Sequence, residues 1–308
     1  MRVLRFLLLV LLLRNISAAE EHTSFHIPTN TYEWNEQKVF FQKHGYLWIK
    51  NFFSQEQVTF LQDQAEEIHR GAQNLLLLTQ NGGPSLKYLQ QNIPGALIVV
   101  PELQNPSQAC RAEDLLSCFP DLYEFITGSV TSYIGHLFEE PYVIFKDKIN
   151  FKWPGGGAFT PHQDFPAYEI FGPRQHVTAM VSIDYATLEN GCLQVAKNWQ
   201  ETFVGDLEAG LVIPYIEGGQ SHGTIQPQYC EKISWLALET SPRDLVLISS
   251  FIPHYSEPNK SQNPRRALFL THNRLEEGEF RKTYYRTKRD DPDNPIFHFA
   301  TPTKARTK

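Results

Sequence analysis

Val177-Thr178-Ala179-Met180-Val181-Ser182-Ile183 is an unbroken run of small, apolar and β-branched residues. It has the composition of a β-strand, in which branched side chains pack well on a pleated surface. Similar short runs, separated by turn residues, continue from Pro141 onward at 142–145, 149–151, 192–195, 244–248 and 267–271. Many short strands without intervening helices predict a sandwich or jelly roll.

The residues before this β-rich part predict helices. Asn35 to Lys43 has a helical pattern, and a short strand follows at 46–49. Ser54 to Gln57 has the form of a capping box, ahead of apolar residues at helical spacing through about Ile68. The stretch 71–107 contains Gly-Gly-Pro and polar clusters, and it predicts a long surface region or lid.

These two parts are predicted to form one domain over residues 20–308, with a helical front at 32–140 and a β core at 141–290. The front alone lacks the apolar surface to fold separately. The predicted fold class is therefore mainly β with flanking helices around a jelly-roll core. The net charge of −6 argues against a nucleic-acid-binding protein, which usually carries a basic face.

The N-terminus has the pattern of a secretory signal peptide over residues 1–19. A basic start is followed by an apolar run from Phe6 to Leu13, and Ser17-Ala18-Ala19 supplies small residues for cleavage. The run is too short to span a bilayer, so we expect no stable membrane span after cleavage. An uncleaved anchor is the alternative. The predicted location is the ER or Golgi lumen or the extracellular space.

In a secreted chain, four cysteines permit two disulfides. Cys110 and Cys118 are close in a loop-like stretch and form the favoured pair. Cys192 lies in an apolar segment and is expected to be a buried free thiol. The basic residues at 282–289 predict a solvated face. Asn259-Lys260-Ser261 is a glycosylation sequon that we expect to remain unmodified.

His162-Gln163-Asp164 is the only His-x-Asp of the chain. On a strand its outer residues would share one face, so both could bind one ion. The motif alone carries little weight, but Pro253-His254-Tyr255-Ser256 offers a third ligand about ninety residues later. Two imidazoles and a carboxylate form the facial triad of non-haem Fe(II) oxygenases, which leaves positions for a co-substrate and O2.

Arg265 follows His254 by eleven residues, at the start of a predicted strand. Its guanidinium could bind a carboxylate with two hydrogen bonds, and the Ser256 hydroxyl could add a third. The distal carboxylate of 2-oxoglutarate needs such a cation. A surface position is the alternative for Arg265 considered alone.

Three blocks of the chain together resemble the phytanoyl-CoA dioxygenase superfamily, in the branch that hydroxylates small molecules. They extend from Lys146 to Asp164, from Ile183 to Leu193, and from His254 to Leu268. The resemblance implies a double-stranded β-helix, related to the cupins, that binds Fe(II), 2-oxoglutarate and O2. It implies hydroxylation of a small organic substrate with release of succinate and CO2.

Position by position, the resemblance implies iron ligands at His162, Asp164 and His254. It places Arg265 and Ser256 at the distal carboxylate of 2-oxoglutarate. Lys148, Asn150 and Met180 lie at matching pocket positions and complete the implied co-substrate site. Lys146, Lys148 and Lys152 alternate on one strand face, which would suit an anionic substrate.

Three other functions stay open at this stage. The fold could serve a secreted binding protein without activity, although all three ligands and Arg265 are present. A metal hydrolase on a related fold would need no 2-oxoglutarate. A hydroxylase of proteins or peptides in the secretory pathway would suit the signal peptide better than the small-molecule branch does. The sequence does not indicate an oligomeric state.

Overall fold

In the computed structural model, residues 24–93, 95–103, 105–203, 212–219 and 221–298 are described. The predicted signal peptide lies outside these residues. The strands are, in chain order, β1 (Tyr46–Ile49), β2 (Ile98–Pro101), β3 (Ala109–Glu113), β4 (Tyr142–Lys152), β5 (Phe159–His162), β6 (His176–Ser182), β7 (Leu193–Lys197), β8 (Ser234–Leu238), β9 (Leu245–Ser249), β10 (His254–Ser256) and β11 (Arg265–Arg274).

The α-helices lie mainly before β4 and after β11. They are α1 (Thr31–His44), α2 (Gln55–Gln80), α3 (Leu86–Asn92), α4 (Pro120–Ile126), α5 (Ser132–Phe138), α6 (Phe165–Tyr168), α7 (Trp199–Thr202), α8 (Pro227–Cys230) and α9 (Arg281–Asp290). A short π-helical segment connects α4 to α5.

The strands form two antiparallel sheets, and these make the predicted jelly-roll core. The larger sheet has the order β1-β9-β6-β11-β4-β3-β2, and the smaller has the order β5-β10-β7-β8. Apolar side chains from both sheets meet in one cluster, with Met180 and Val246 from the larger sheet and Val195 and Leu236 from the smaller. The fold class predicted from the sequence is confirmed.

Alternation along the strands separates the two faces of the larger sheet. In β6, Ala179 and Val181 point to the outer face, and Thr178 and Met180 point between the sheets. The outer face is covered by α2, whose buried residues recur at helical spacing: Val58, Leu61, Ala65, Ile68, Ala72 and Leu76. Helices and sheet therefore share one apolar cluster.

The capping box predicted at Ser54 is present, because Ser54 accepts from the Gln57 backbone and the Gln57 side chain accepts from the Ser54 backbone. The helix it begins continues to Gln80, beyond the predicted end near Ile68. The surface region predicted for 71–107 is therefore wrong over much of its length. Buried Ala72 and Leu76 extend the apolar stripe of α2, and α3 and β2 follow.

The predicted disulfide between Cys110 and Cys118 is also wrong, since all four cysteines are free thiols. Cys110 lies in β3 with its Sγ 3.5 Å from the Pro101 carbonyl oxygen, whereas the Cys118 Sγ lies 2.7 Å from the Gly95 carbonyl oxygen. Cys192 is buried and free, as predicted. None of the described helices is long and apolar enough to cross a membrane.

Candidate active site

His162 and His254 lie side by side on neighbouring strands of the smaller sheet. His162 ends β5, His254 begins β10, and the two residues are paired in register. Their ring centroids lie 4.2 Å apart. The Asp164 Oδ1 is 3.8 Å from the His162 Nε2. One ligand atom from each of the three residues lies within 4.8 Å of the others, so the three could hold one metal ion.

Both imidazoles are oriented by main-chain carbonyl groups. The Nδ1 atom of His162 lies 2.6 Å from the Thr160 oxygen, and that of His254 lies 3.0 Å from the Ile252 oxygen. A proton on Nδ1 satisfies each carbonyl and leaves Nε2 free as a ligand. The rings are thus held in the tautomer that a metal requires.

Asp164 reaches this site in a different way from the one predicted. The expectation was that His162 and Asp164 share a strand face, but β5 ends at His162 and Asp164 sits at the start of α6. Between them, the Gln163 side chain donates to the Phe251 carbonyl and accepts from the Ile213 backbone N–H at 2.7 Å. These contacts fix the bend that turns the Asp164 carboxylate towards the histidines.

The electrostatics of the three residues suit a cation. Burial raises the pKa of Asp164, but His254 and Lys148 outweigh it and hold that pKa at about 2. Burial and the neighbouring His254 lower the pKa of His162 to about 3. At neutral pH the site therefore presents a carboxylate and at least one neutral imidazole, the forms in which these groups bind metals.

A pocket of about 480 Å³ of empty space, including its mouth, opens beside the three residues. Four of the predicted co-substrate residues line it: Lys148, Asn150, Ser256 and Arg265. Arg265 is only 2% exposed, and its Nε has no hydrogen-bond partner among the described residues. The Asn150 Oδ1 also has none. Buried polar atoms are rarely left without partners, so these two point to a bound ligand.

Met180, the fifth predicted pocket residue, lies elsewhere. It points between the sheets but packs in the apolar cluster with Val246 and Ala267, and it is not among the residues that line the pocket. A non-polar thioether gains more from this contact than from a polar cavity. The structure thus corrects its placement.

Several pocket residues were missed by the sequence reasoning. Tyr168 follows the metal-site bend in α6, and Thr178 and Thr271 are register partners whose hydroxyl oxygens lie 2.9 Å apart. Their signal was present in the alternation of β6 and β11, since a threonine among inward-facing apolar residues marks a polar cavity. The remaining lining residues that were missed are Phe159, Leu193, Tyr255 and Phe269.

The two cations of the pocket, Arg265 and Lys148, have no salt bridge to any described acidic side chain. Burial, and after it Lys146, lowers the pKa of Lys148 to about 7, and burial lowers that of Arg265 to about 10. Phe269, the register partner of Lys148, is four residues after Arg265 in β11. The two positions therefore lie about 13 Å apart along the sheet.

The donor set and the pocket together fit a non-haem iron site. Two imidazole nitrogens and one carboxylate suit Fe(II) and leave open positions on the ion. The unpaired guanidinium of Arg265 fits a dicarboxylate co-substrate.

Known proteins match most of the chain. The family model described as phytanoyl-CoA dioxygenase (PhyH) matches residues 41–267. A 2-aminoethylphosphonate dioxygenase from an uncultured bacterium (HF130_AEPn_1) is 33% identical over 261 residues, covering 84% of this chain and 89% of that protein. A methylphosphonate hydroxylase from Gimesia maris is 36% identical over 189 residues, covering 60% and 67%.

Solved structures show the same fold at low identity. The crystal structure of EctD from S. alaskensis with 2-oxoglutarate and 5-hydroxyectoine has a TM-score of 0.57 and 17% identity, over 85% of this chain and 86% of that one. The structure of the epimerase SnoN in complex with Fe3+, alpha ketoglutarate and nogalamycin RO has a TM-score of 0.55 and 12% identity, over 80% and 85%.

Proposed function

The chain belongs to the phytanoyl-CoA dioxygenase family of non-haem Fe(II)- and 2-oxoglutarate-dependent oxygenases, and on that premise we propose that it hydroxylates a small organophosphonate. The products of the co-substrate would be succinate and CO2. Two curated relatives are named for phosphonate substrates, which supports this substrate class.

In this proposal His162, Asp164 and His254 hold Fe(II), and Arg265 with Ser256 binds the distal carboxylate of 2-oxoglutarate. Asn150 lines the same pocket, where its unpaired amide oxygen can accept a hydrogen bond but cannot bind a carboxylate. When bound, the iron and its co-substrate supply the oxidation of an unactivated C–H bond. The protein positions the reactants and limits access of water, because most of the lining residues are buried.

The observation that carries the substrate class is the second unpaired cation, Lys148. The Arg265 and Lys148 positions lie ~13 Å apart along the sheet, so a carboxylate held at Arg265 would be remote from the Lys148 position. Lys148 is therefore left for another anion. We assign it to the phosphonate group of the substrate, and not to the co-substrate as the sequence implied. Lys146 lies two residues away on the same strand face and adds positive charge.

The test is a succinate-release assay of the iron-loaded protein with 2-aminoethylphosphonate, methylphosphonate and matched carboxylates. We expect phosphonates to stimulate succinate release above the substrate-free rate. Lys148→Met should abolish the stimulation while leaving the slow substrate-free reaction. Exposed Lys43→Met is the charge-matched control. The assignment would be contradicted if phosphonates stimulated succinate release equally in the native protein and in Lys148→Met. It would also be contradicted if the matched carboxylates stimulated succinate release and the phosphonates did not.

A further inference from the structure

Lys152 is a buried cation that contacts Ser256 beside the end of the pocket where Arg265 and Ser256 are found, although it does not itself line the pocket. It is the register partner of Arg265 across β4 and β11 and is only 3% exposed. Its Nζ donates to the Ser256 Oγ at 2.7 Å and to the Glu257 carbonyl oxygen at 2.5 Å. No described acidic side chain forms a salt bridge with Lys152 or with Arg265.

The contact with Ser256 decides what the serine hydroxyl can do. A hydroxyl has one O–H donor and two acceptor lone pairs. Because the ammonium form of Lys152 can only donate to the oxygen, the Ser256 hydrogen stays available to donate elsewhere. Ser256 lines the pocket together with Arg265, so an anion there would receive that donor.

Neighbouring residues leave space for the Lys152 side chain to contact Ser256 and Glu257. Gly191 has φ of +77°, and a Cβ at this position would come within 2.2 Å of the Glu257 carbonyl oxygen and 3.0 Å of the Lys152 Nζ. The Lys152 carbonyl accepts a hydrogen bond from the Asn259 Nδ2 at 2.9 Å. This bond attaches the β10–β11 loop to the end of β4. Only glycine at 191 leaves room for the lysine to reach the Glu257 main chain.

We propose that Lys152 is a positioning residue that directs the Ser256 hydroxyl to the distal carboxylate of the co-substrate and makes this end of the pocket selective for dicarboxylic 2-oxo acids. The inference rests on the proposed co-substrate role of Arg265 and Ser256. Two adjacent buried cations favour a carboxylate and leave a neutral chain end, as in 2-oxobutyrate, without compensation for their charge. Burial and the adjacent Arg265 hold the pKa of Lys152 well below its usual value, and a bound carboxylate would offset both effects.

The test measures 2-oxoglutarate binding by calorimetry to protein loaded with Mn(II), which needs no turnover. Loss of a charge-assisted hydrogen bond predicts that Lys152→Met weakens 2-oxoglutarate binding by about tenfold or more. The preference for 2-oxoglutarate over 2-oxobutyrate should fall by a similar factor, and Mn(II) affinity should not change. Lys152→Gln keeps an N–H donor and should retain more affinity than the Met variant.

Lys260→Met removes a charge from an exposed position in the same loop and should bind 2-oxoglutarate as the native protein does. In the Ser256→Ala background, Lys152→Met should have a smaller effect, because the lysine acts partly through that hydroxyl. If Lys152→Met does not fold, Lys152→Gln provides the test. Because it lacks the charge, it should bind 2-oxoglutarate several-fold more weakly than the native protein. Unchanged affinity and unchanged selectivity in a folded Lys152 variant would overturn the inference. Failure of the native protein to bind 2-oxoglutarate would instead overturn the proposed site.

Discussion

At the scale of single residues, the metal site depends on main-chain and side-chain groups that do not themselves bind the ion. Main-chain carbonyls of Thr160 and Ile252 set the two imidazole tautomers. Gln163 fixes the bend that carries Asp164 out of the strand. These supporting contacts contribute to metal affinity, because a ligand side chain that can rotate freely binds the ion more weakly.

The bend therefore predicts a measurable role for Gln163. Gln163→Ala removes both its contact to Phe251 and its contact to Ile213, and we expect Fe(II) affinity to fall by about 10–100-fold. Activity at saturating iron should fall much less. Titration of the apo-protein with Fe(II) under anaerobic conditions measures this. The exposed Gln228→Ala is the control, and native iron affinity in Gln163→Ala would argue against the supporting role.

The residue scale also shows what the sequence could and could not predict. His162, His254 and Arg265 were recognisable because ligand type and spacing carry their chemistry. The strand assignment of Asp164 failed because the Gln163 contacts come from residues about 50 and 88 positions away. Lys152 was visible only as one of three alternating lysines, since its role depends on Ser256, 104 residues later.

At the scale of elements, α9 is joined to the larger sheet by buried charges. Lys288 donates to both carboxylate oxygens of Glu113 at 2.8 Å, and Arg281 pairs with buried Asp147. The solvated face predicted for 282–289 is thus wrong at Lys288, which is 5% exposed. Its partner is 175 residues away in the sequence, so no local pattern could indicate the burial.

This ion pair predicts a pH dependence of stability. Burial alone would raise the pKa of Glu113, but Lys288 and Arg111 outweigh it and hold the pKa well below its usual value. The unfolded chain, with a Glu pKa of about 4.3, then binds the proton more readily than the folded chain does. The stabilisation is therefore complete above about pH 4.3 and is lost as the pH falls towards the folded-state pKa.

Glu113→Gln should consequently lower the midpoint of thermal unfolding at pH 7, because two buried cations lose their counter-charge. The difference from the native protein should stay constant down to about pH 5 and shrink as the pH falls towards 3. Thermal unfolding followed by circular dichroism across this range measures the effect. Exposed Glu36→Gln should follow the native curve. A Glu113→Gln difference that grows on acidification would contradict the assignment of the low pKa.

At the scale of the whole molecule, the helices and the larger sheet share one apolar cluster, and the polar pocket lies between the two sheets. The fold class was predictable because strand runs and turns are local patterns. The joining of β1 to the larger sheet was not, since its partner β9 is far away in the sequence. The long α2 helix was underestimated because its polar face obscured the stripe beyond Ile68.

We expect the chain to lose its predicted secretory leader, to keep its cysteines as free thiols and to carry no glycan at Asn259. Asn259 is 1% exposed, and its Nδ2 donates to the main chain of Lys152 and Asn263, so the folded sequon offers no free amide for a glycan. The full chain expressed in eukaryotic cells should begin after Ala19, carry four free thiols and have no glycan at Asn259. Intact-mass analysis after thiol alkylation measures all three. A disulfide mass or a glycan would contradict the structural part, and a retained N-terminus would contradict cleavage.

The central claim is that His162, Asp164 and His254 hold the iron that consumes 2-oxoglutarate. Its most direct test compares bound iron and succinate release in the native protein, in Asp164→Ala, and in the exposed control Asp121→Ala. The native protein and the control should bind one Fe(II) per chain and release succinate from 2-oxoglutarate, whereas Asp164→Ala should lose iron-dependent succinate release. Undiminished iron binding and succinate release by Asp164→Ala would contradict the account.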